Sequence, residues 1–217
     1  MVARGTLPPF LNHPAMPLMT TDVRQPDFRI DPQFTERWSP RAFTGEALDR
    51  GTLMTILEAA RWAPSGSNLQ PWRFIYGLRG TPAFETLAST LAEGNRAWAP
   101  QAGALVLVLS RTQRVVPGKE QPQPIVSHAF DAGAAWMSLA LQAQALGLHA
   151  HAMGGFDRAM ARELLGIPND HELHAVVALG RRGDASQLPP SLQERERPNG
   201  RLPLSALVAE GRFEFGS

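Results

Sequence analysis

Apolar residues recur at two different spacings along this chain, and the spacings separate helices from strands. Between Asp49 and Pro64 the apolar residues lie three and four positions apart, which is typical of one helix face. This stripe consists of Leu53, Ile56, Leu57 and Ala60. Residues 104–110 are apolar without a break, as a strand buried on both faces is. Residues 128–146 form the longest predicted helix, and its apolar sides predict a central helix or one facing another subunit.

The remaining elements are shorter and alternate in type. Further helices are predicted over residues 31–38, 84–93, 157–165 and 205–210, and further strands over residues 73–77, 149–153 and 174–180. Residues 111–126 and 183–203 are proline-rich and polar, which predicts irregular backbone. Helices alternating with about four strands favour an α/β or α+β sheet with helices on both faces.

The domain organisation is simple. Residues 1–30 are proline-rich and predict an extended arm that is either disordered or laid over a neighbouring surface. Residues 31–217 carry no marker of a boundary, so we expect a single domain there. A chain of this length buries a sizeable core.

Composition narrows the class of protein. Hydrophobic residues make up 43% and charged residues 19%, which is typical of a soluble globular chain. The formal net charge of +1 argues against a nucleic-acid or acidic-membrane partner. The absence of cysteine excludes disulfides and thiol catalysis. No apolar run could span a bilayer and no secretory signal is visible, so a cytoplasmic protein is expected.

Arginines provide the first candidate chemistry. Arg37 and Arg41 bracket Trp38 and Ser39 where a short helix ends, and arginine suits two-pronged recognition of phosphate. They could converge on one dianion, or they could be two solvated surface residues. Arg201, in the C-terminal loop, could supply a further cation or be an ordinary surface arginine.

Two loops provide the second candidate chemistry. The loop over residues 64–70 combines backbone donors, hydroxyls and carboxamides, which suits a ligand whose rim alternates donors and acceptors, such as an isoalloxazine ring. Its candidate residues are Pro64, Ser65, Gly66, Ser67, Asn68 and Gln70. A helix stop followed by an ordinary turn explains most of them equally. Met153, Gly154 and Gly155 bring bare backbone to a helix start, where a flat ligand could approach; a plain strand-to-helix turn is the alternative.

Other signals are negative. The sequence has no phosphate-binding P-loop, no dinucleotide fingerprint and no nucleophile elbow. His149 and His151 share one strand face, and His171 and His174 lie three residues apart. Because neither pair has a supporting carboxylate spacing, no metal site is predicted.

Order and spacing together point to a known family. The pattern Arg-x-Ser-x-Arg-x-Phe is followed by a helix ending Glu-Ala-Ala-Arg-Trp-Ala-Pro-Ser-Gly-x-Asn-x-Gln-Pro-Trp-x-Phe. This combination resembles the nitroreductase family of FMN-dependent oxidoreductases, over residues 34 to about 208. The resemblance implies an α+β fold, an α/β/α sandwich with a central, mostly antiparallel sheet of about four to five strands, in a homodimer.

The resemblance also implies roles for individual residues. Arg37, Ser39 and Arg41, with Trp38 between them, match the flavin-binding arm, and Arg201 matches a C-terminal phosphate arginine. Residues 64–68 match a loop that the other subunit lays against the flavin, with Gln70 close behind. Gly154 and Gly155, which follow Met153, match a segment whose backbone donor points at flavin N5. Asn95 falls where the family often has an asparagine near the flavin carbonyls, and Trp98 replaces a lysine there.

The implied activity is reduction of nitroaromatics, quinones or similar small acceptors. Hydride would pass from NADH or NADPH to N5 of FMN, and then to the second substrate in a ping-pong cycle. The alternatives are another flavin chemistry on the same fold, such as reductive dehalogenation, ene reduction or flavin breakdown, or an FMN-binding sensor or carrier without turnover. The sequence names no side chain as catalytic acid or base.

Overall fold

A computed structural model describes residues 22–215 of the chain. Most of the predicted arm, residues 1–21, therefore lies outside the described residues. The part that is described, residues 22–30, contains one turn of 3-10 helix at Asp22–Arg24. Its Arg24 side chain donates hydrogen bonds to backbone carbonyls of Thr35, Arg37 and Asn199, so this stretch lies against the rest of the chain.

Most of the predicted elements are present close to their expected bounds. The helices are α1 Pro32–Glu36, α2 Arg50–Arg61, α3 Pro82–Ser89, α4 Glu93–Arg96, α5 His128–Ala145, α6 Arg158–Leu164 and α7 Pro190–Gln193. The strands are β1 Trp72–Leu78, β2 Ala104–Arg111, β3 Gln113–Arg114, β4 Gln123–Pro124, β5 His149–Met153 and β6 His171–Gly180. Aspartates at the predicted N-caps accept from the first-turn amides: Asp49 from Thr52 N and Asp157 from Met160 N, both at 2.9 Å.

Within residues 22–215 the main sheet has four strands in the order β1-β2-β6-β5, and every pairing is antiparallel. This confirms the expected α+β fold with a central antiparallel sheet flanked by helices. The edges of the sheet are β1 and β5. The predicted irregular stretch 111–126 contains a two-stranded ribbon formed by β3 and β4.

Helices cover both faces of the sheet and create two cores. On β2, Leu105, Leu107 and Leu109 point into a core shared with α3 and α6. The alternate residues Ala104, Val106 and Val108 point into a core shared with α2 and α5. The unbroken apolar run of β2 is therefore explained by burial on both faces, as predicted.

Two predicted helices differ from the structure. The helix expected over residues 84–93 begins earlier, at Pro82, because Thr81 caps it and proline suits its first turn. It ends at Ser89, and residues 93–96 form the separate helix α4. The C-terminal helix expected over residues 205–210 is a single 3-10 turn, Leu204–Ala206.

The long helix α5 is not enclosed on every side in the described chain. It packs on α2 and on the sheet through Ala135, Leu139, Ala140 and Ala143. Phe130, near its start, is 83% exposed. None of the helices in the described part of the chain has the length and hydropathy that a membrane span requires.

Candidate functional site

A cavity of about 680 Å³ lies between the N-terminal stretch, the segment after α1 and the C-terminal loop. We call it the arginine cavity, because six arginines line it among the described residues. They are Arg24, Arg37, Arg41, Arg195, Arg197 and Arg201. Trp38, Ser39 and His151 contribute to the same wall. The structure therefore brings together Arg37, Trp38, Ser39, Arg41 and Arg201, which the sequence singled out separately.

Backbone contacts hold the segment 37–41 in place. His151 Nδ1 lies 2.9 Å from the carbonyl oxygen of Pro40, to which it donates. The Glu196 carboxylate accepts from the backbone N–H of Arg41 at 2.8 and 3.0 Å and from that of Ala42 at 2.9 Å. These contacts tie the segment to β5 on one side and to the C-terminal loop on the other.

The electrostatics of the cavity favour an anion. Burial, followed by the charges of Arg201 and Arg37, lowers the pKa of Arg24. Burial and then Arg201 lower the pKa of Arg37. For Arg41, burial and Arg195 lower the pKa, and Glu196 opposes them. After burial, neighbouring guanidinium groups are the next cause of each shift, and among the described residues six arginines line the cavity with one carboxylate, that of Glu194. A dianionic ligand would therefore be stabilised there.

Aromatic packing supports the cavity from beneath. The ring of His151 lies 4.7 Å from that of Trp98, and Trp98 in turn stacks on Phe43 at 6.2 Å. Trp98 is 2% exposed and belongs to the core on the α3 side of the sheet. Its indole ring packs against His151.

The loop over residues 64–70 has an unusual backbone. Of the described residues other than glycine, three have positive φ, and all three lie here: Ser67 at 51°, Asn68 at 54° and Gln70 at 47°. Such conformations cost about 1–3 kcal/mol each in non-glycine residues and cluster at ligand sites. The loop is therefore held in a shape that its own residues disfavour.

Two anchors hold this loop. Within it, Ser65 Oγ accepts from Gln70 N at 3.0 Å. At its start, Gly66 N donates to the buried carboxylate of Asp131, at 3.2 and 3.3 Å, and Ser127 Oγ donates to the same carboxylate at 2.9 Å. A Cβ on Gly66 would lie 2.6 Å from Ser127 Oγ, so a larger residue would displace the Ser127 hydroxyl. The loop is thus fixed to the beginning of α5.

The predicted site residues Met153, Gly154 and Gly155 lie at the end of β5. Asn95 Nδ2 donates to the carbonyl of Gly155 at 2.9 Å, which joins α4 to this turn. A Cβ on Gly155 would lie 3.0 Å from that same Nδ2 atom. Met153 is 3% exposed and packs in the core. Gly154 is exposed beside it.

The 37–41 segment, the 64–70 loop and the turn at Gly155 do not come together at one place within a single chain. The 64–70 loop leads into β1, one edge of the sheet, whereas the 37–41 segment and Gly155 adjoin β5, the other edge. Three strand spacings, about 14 Å, separate the two edges. No residue of the 64–70 loop, which the structure describes in full, lines the arginine cavity.

The sequence did not identify Arg24, Arg195, Arg197 and Glu196 as residues of the site. The last three lie in a stretch whose Arg- and Glu-rich composition was visible, but composition does not say which of several charges turns inward. Arg24 lies in the arm, where no periodicity indicated a packed side chain. Within the described range, no three His, Cys, Asp or Glu side chains are grouped so that they could hold a metal ion.

His149 predicts a pH dependence of stability. Burial, followed by the nearby Arg182, lowers its pKa from 6.5 to about 4. The unfolded chain takes up a proton near pH 6.5 that the native chain accepts only near pH 4. The free energy of unfolding should therefore fall by about 3 kcal/mol as the pH drops between these values. Urea unfolding across this range measures it, and His149→Leu should flatten the curve; an unchanged slope in that variant would contradict the assignment.

The fold and the site define an α+β protein with a strongly cationic ligand cavity at one edge of its sheet. The chain matches the family described as the nitroreductase family over residues 34–77 and 78–181, so it belongs to the nitroreductase family.

Individual relatives agree with this assignment. The chain is 31% identical over 199 residues to a Thermus thermophilus NADH dehydrogenase, a match that covers 80% of this chain and 91% of that protein. It is 45% identical to a solved oxidoreductase containing FMN. The two structures superpose with a TM-score of 0.88, and the match covers 92% of this chain and 100% of the other. A nitroreductase family protein from Clostridium difficile shares the fold at 22% identity, with a TM-score of 0.64 over 86% of this chain and 100% of that chain.

Proposed function

We propose that the protein is a homodimeric FMN oxidoreductase that takes electrons from NADH or NADPH and reduces small acceptors such as nitroaromatics or quinones. The arginine cavity is the main observation that supports this proposal. The resemblance to an FMN-containing oxidoreductase at 45% identity and to an NADH dehydrogenase at 31% identity supports it.

The chemistry of the cavity fits the phosphate of FMN. A phosphate ester carries close to two negative charges, and bidentate arginines are the usual partners of such a group. Burial, followed by the charges of neighbouring arginines, lowers the pKa values of Arg24, Arg37 and Arg41, which supports a concentration of positive charge at this place. Arg37, Arg41 and Arg201 would hold the phosphate, and Trp38 and Ser39 would lie beside it.

Other residues would surround the flavin ring. FMN, when bound, supplies a ring that accepts a hydride from reduced nicotinamide and gives electrons to a second substrate. The backbone of Gly154 and Gly155, to which Asn95 donates a hydrogen bond, follows the cavity residue His151 along the chain and would offer N–H donors to the ring. The loop residues Pro64, Ser65, Gly66, Ser67, Asn68 and Gln70 would present donors and acceptors to the ring from the partner chain.

The separation of these groups supports a homodimer. Because the 64–70 loop and the arginine cavity belong to opposite edges of the sheet, we infer that each flavin site combines the cavity of one chain with the loop of its partner. Val126 and Phe130, which flank the loop's anchor at the beginning of α5, are 91% and 83% exposed. Their exposure beside the loop supports a contact surface for the partner chain at this end of α5.

Anaerobic reduction tests the proposed activity. Full-length protein loaded with FMN should lose its yellow colour when NADH or NADPH is added without oxygen, and a quinone or nitroaromatic should restore it. Free FMN at the same concentration, treated identically, is the control for reduction outside the protein. Flavin that stays oxidised in the presence of both nucleotides would contradict an NAD(P)H-dependent enzyme.

A further inference from the structure

Arg24 joins three separate segments around the arginine cavity. Its Nη1 atom donates to the carbonyl oxygens of Thr35 at 2.6 Å and Arg37 at 2.7 Å. Its Nε atom donates to the carbonyl oxygen of Asn199 at 2.9 Å. One planar guanidinium therefore fixes the backbone of Arg37 and the loop that carries Arg201. Arg24 lies before residue 34, where the family match begins.

A second set of contacts holds the same stretch against the C-terminal loop. The Asp27 carboxylate accepts from Leu204 N at 2.6 Å. Gly200 lies so close to the N-terminal stretch that a Cβ there would be 3.0 Å from the carbonyl oxygen of Val23. Residues 22–28 thus cross the two segments that supply the cavity's arginines, and they bring one more positive charge to its wall.

We propose that residues 22–28 form a strap that closes the phosphate end of the arginine cavity, with Arg24 as the positioning residue for Arg37 and Arg201. The proposal rests on FMN being the ligand of that cavity. When the strap is docked, the guanidinium groups of Arg24, Arg37 and Arg201 lie close together. They repel one another unless an anion lies among them. Phosphate binding and strap docking therefore stabilise each other.

Flavins with and without a phosphate test the strap. Full-length wild-type protein, Arg24→Gln, Arg24→Lys and Arg29→Gln are titrated with FMN and with riboflavin, and flavin fluorescence gives the dissociation constants. Arg29 is the matched control, since it is exposed on the same stretch and does not line the cavity. Arg24→Gln should weaken FMN binding by about tenfold or more and leave riboflavin binding unchanged. Arg24→Lys should recover only part of the loss, and Arg29→Gln should resemble the wild type.

Hydrogen exchange gives a readout that does not depend on affinity. FMN should slow amide exchange in residues 22–28 and 199–204 of the wild type but not in the Arg24→Gln variant. Riboflavin should not slow exchange of these amides in either protein. Equal weakening of both flavins, full recovery in Arg24→Lys, or an equal loss in Arg29→Gln would overturn the inference and leave the proposed function standing. A wild-type protein that binds neither flavin would overturn the proposed function and this inference with it.

Discussion

Replacing Arg41 with alanine is expected to weaken FMN binding by about 1.5–3 kcal/mol, a loss of about tenfold to a hundredfold in affinity. The Arg41 guanidinium is available for a ligand because its neighbours are poorly placed to satisfy it. Its Nη1 atom lies 3.9 Å from Glu196 Oε2 and 3.4 Å from the carbonyl oxygen of Arg195. The Glu196 carboxylate is occupied by the backbone amides of Arg41 and Ala42.

Titration with FMN, followed by flavin fluorescence, measures the change for Arg41→Ala. Arg50→Ala is a suitable control, because Arg50 is exposed at the beginning of α2 and does not line the arginine cavity. It removes the same charge and should leave the affinity unchanged. An Arg41→Ala protein that binds FMN as the wild type does would show that Arg41 does not hold the phosphate.

Replacing Asp131 with alanine is expected to lower the free energy of unfolding by about 2–4 kcal/mol. Asp131 is 2% exposed and accepts from Gly66 N and Ser127 Oγ. Without its carboxylate, both donors lose a part-buried hydrogen bond to a charged group, and such a bond contributes about 1.5–3 kcal/mol. The strained 64–70 loop also loses its tie to α5, so we expect its amides to exchange faster with solvent.

Urea unfolding and hydrogen exchange measure the two effects of Asp131→Ala. Asp131→Asn is the matched variant, since its amide can still accept from Gly66 N and donate to Ser127 Oγ. It should retain most of the stability and a protected loop. If Asp131→Ala unfolded within about 0.5 kcal/mol of the wild type, which is the range of ordinary surface substitutions, the anchor would have no energetic importance.

The sequence predicted the regular elements well because their signals are local. The stripe of α2, the capping aspartates and the apolar run of β2 each depend on residues that are near neighbours in the chain. The misplaced start of α3 had a local signal too, since Thr81 and Pro82 are a cap and a first-turn proline. The convergence of Arg37, Arg41 and Arg201 came from family resemblance, because no spacing places residue 201 beside residue 37.

The remainder of the site depends on long-range contacts that no local pattern encodes. Arg24 reaches the cavity through carbonyls of Thr35, Arg37 and Asn199, which are backbone atoms common to every residue type. The positive φ angles of Ser67 and Gln70 were likewise not predictable, since neither residue favours that conformation. They persist because Asp131, more than 60 positions away, fixes the start of the loop.

We propose that one flavin site uses two chains, and dimers that pair one Arg41→Ala chain with one Asn68→Gly chain test this most directly. Glycine keeps the positive φ at position 68 and removes only the carboxamide. FMN titration of the mixed dimer should show half of the sites with wild-type affinity, and the other half weaker than in either single variant, because both lesions then fall on one site. Two weakened sites, each with the affinity of one single variant, or a protein that stays monomeric and binds no FMN, would contradict the shared site.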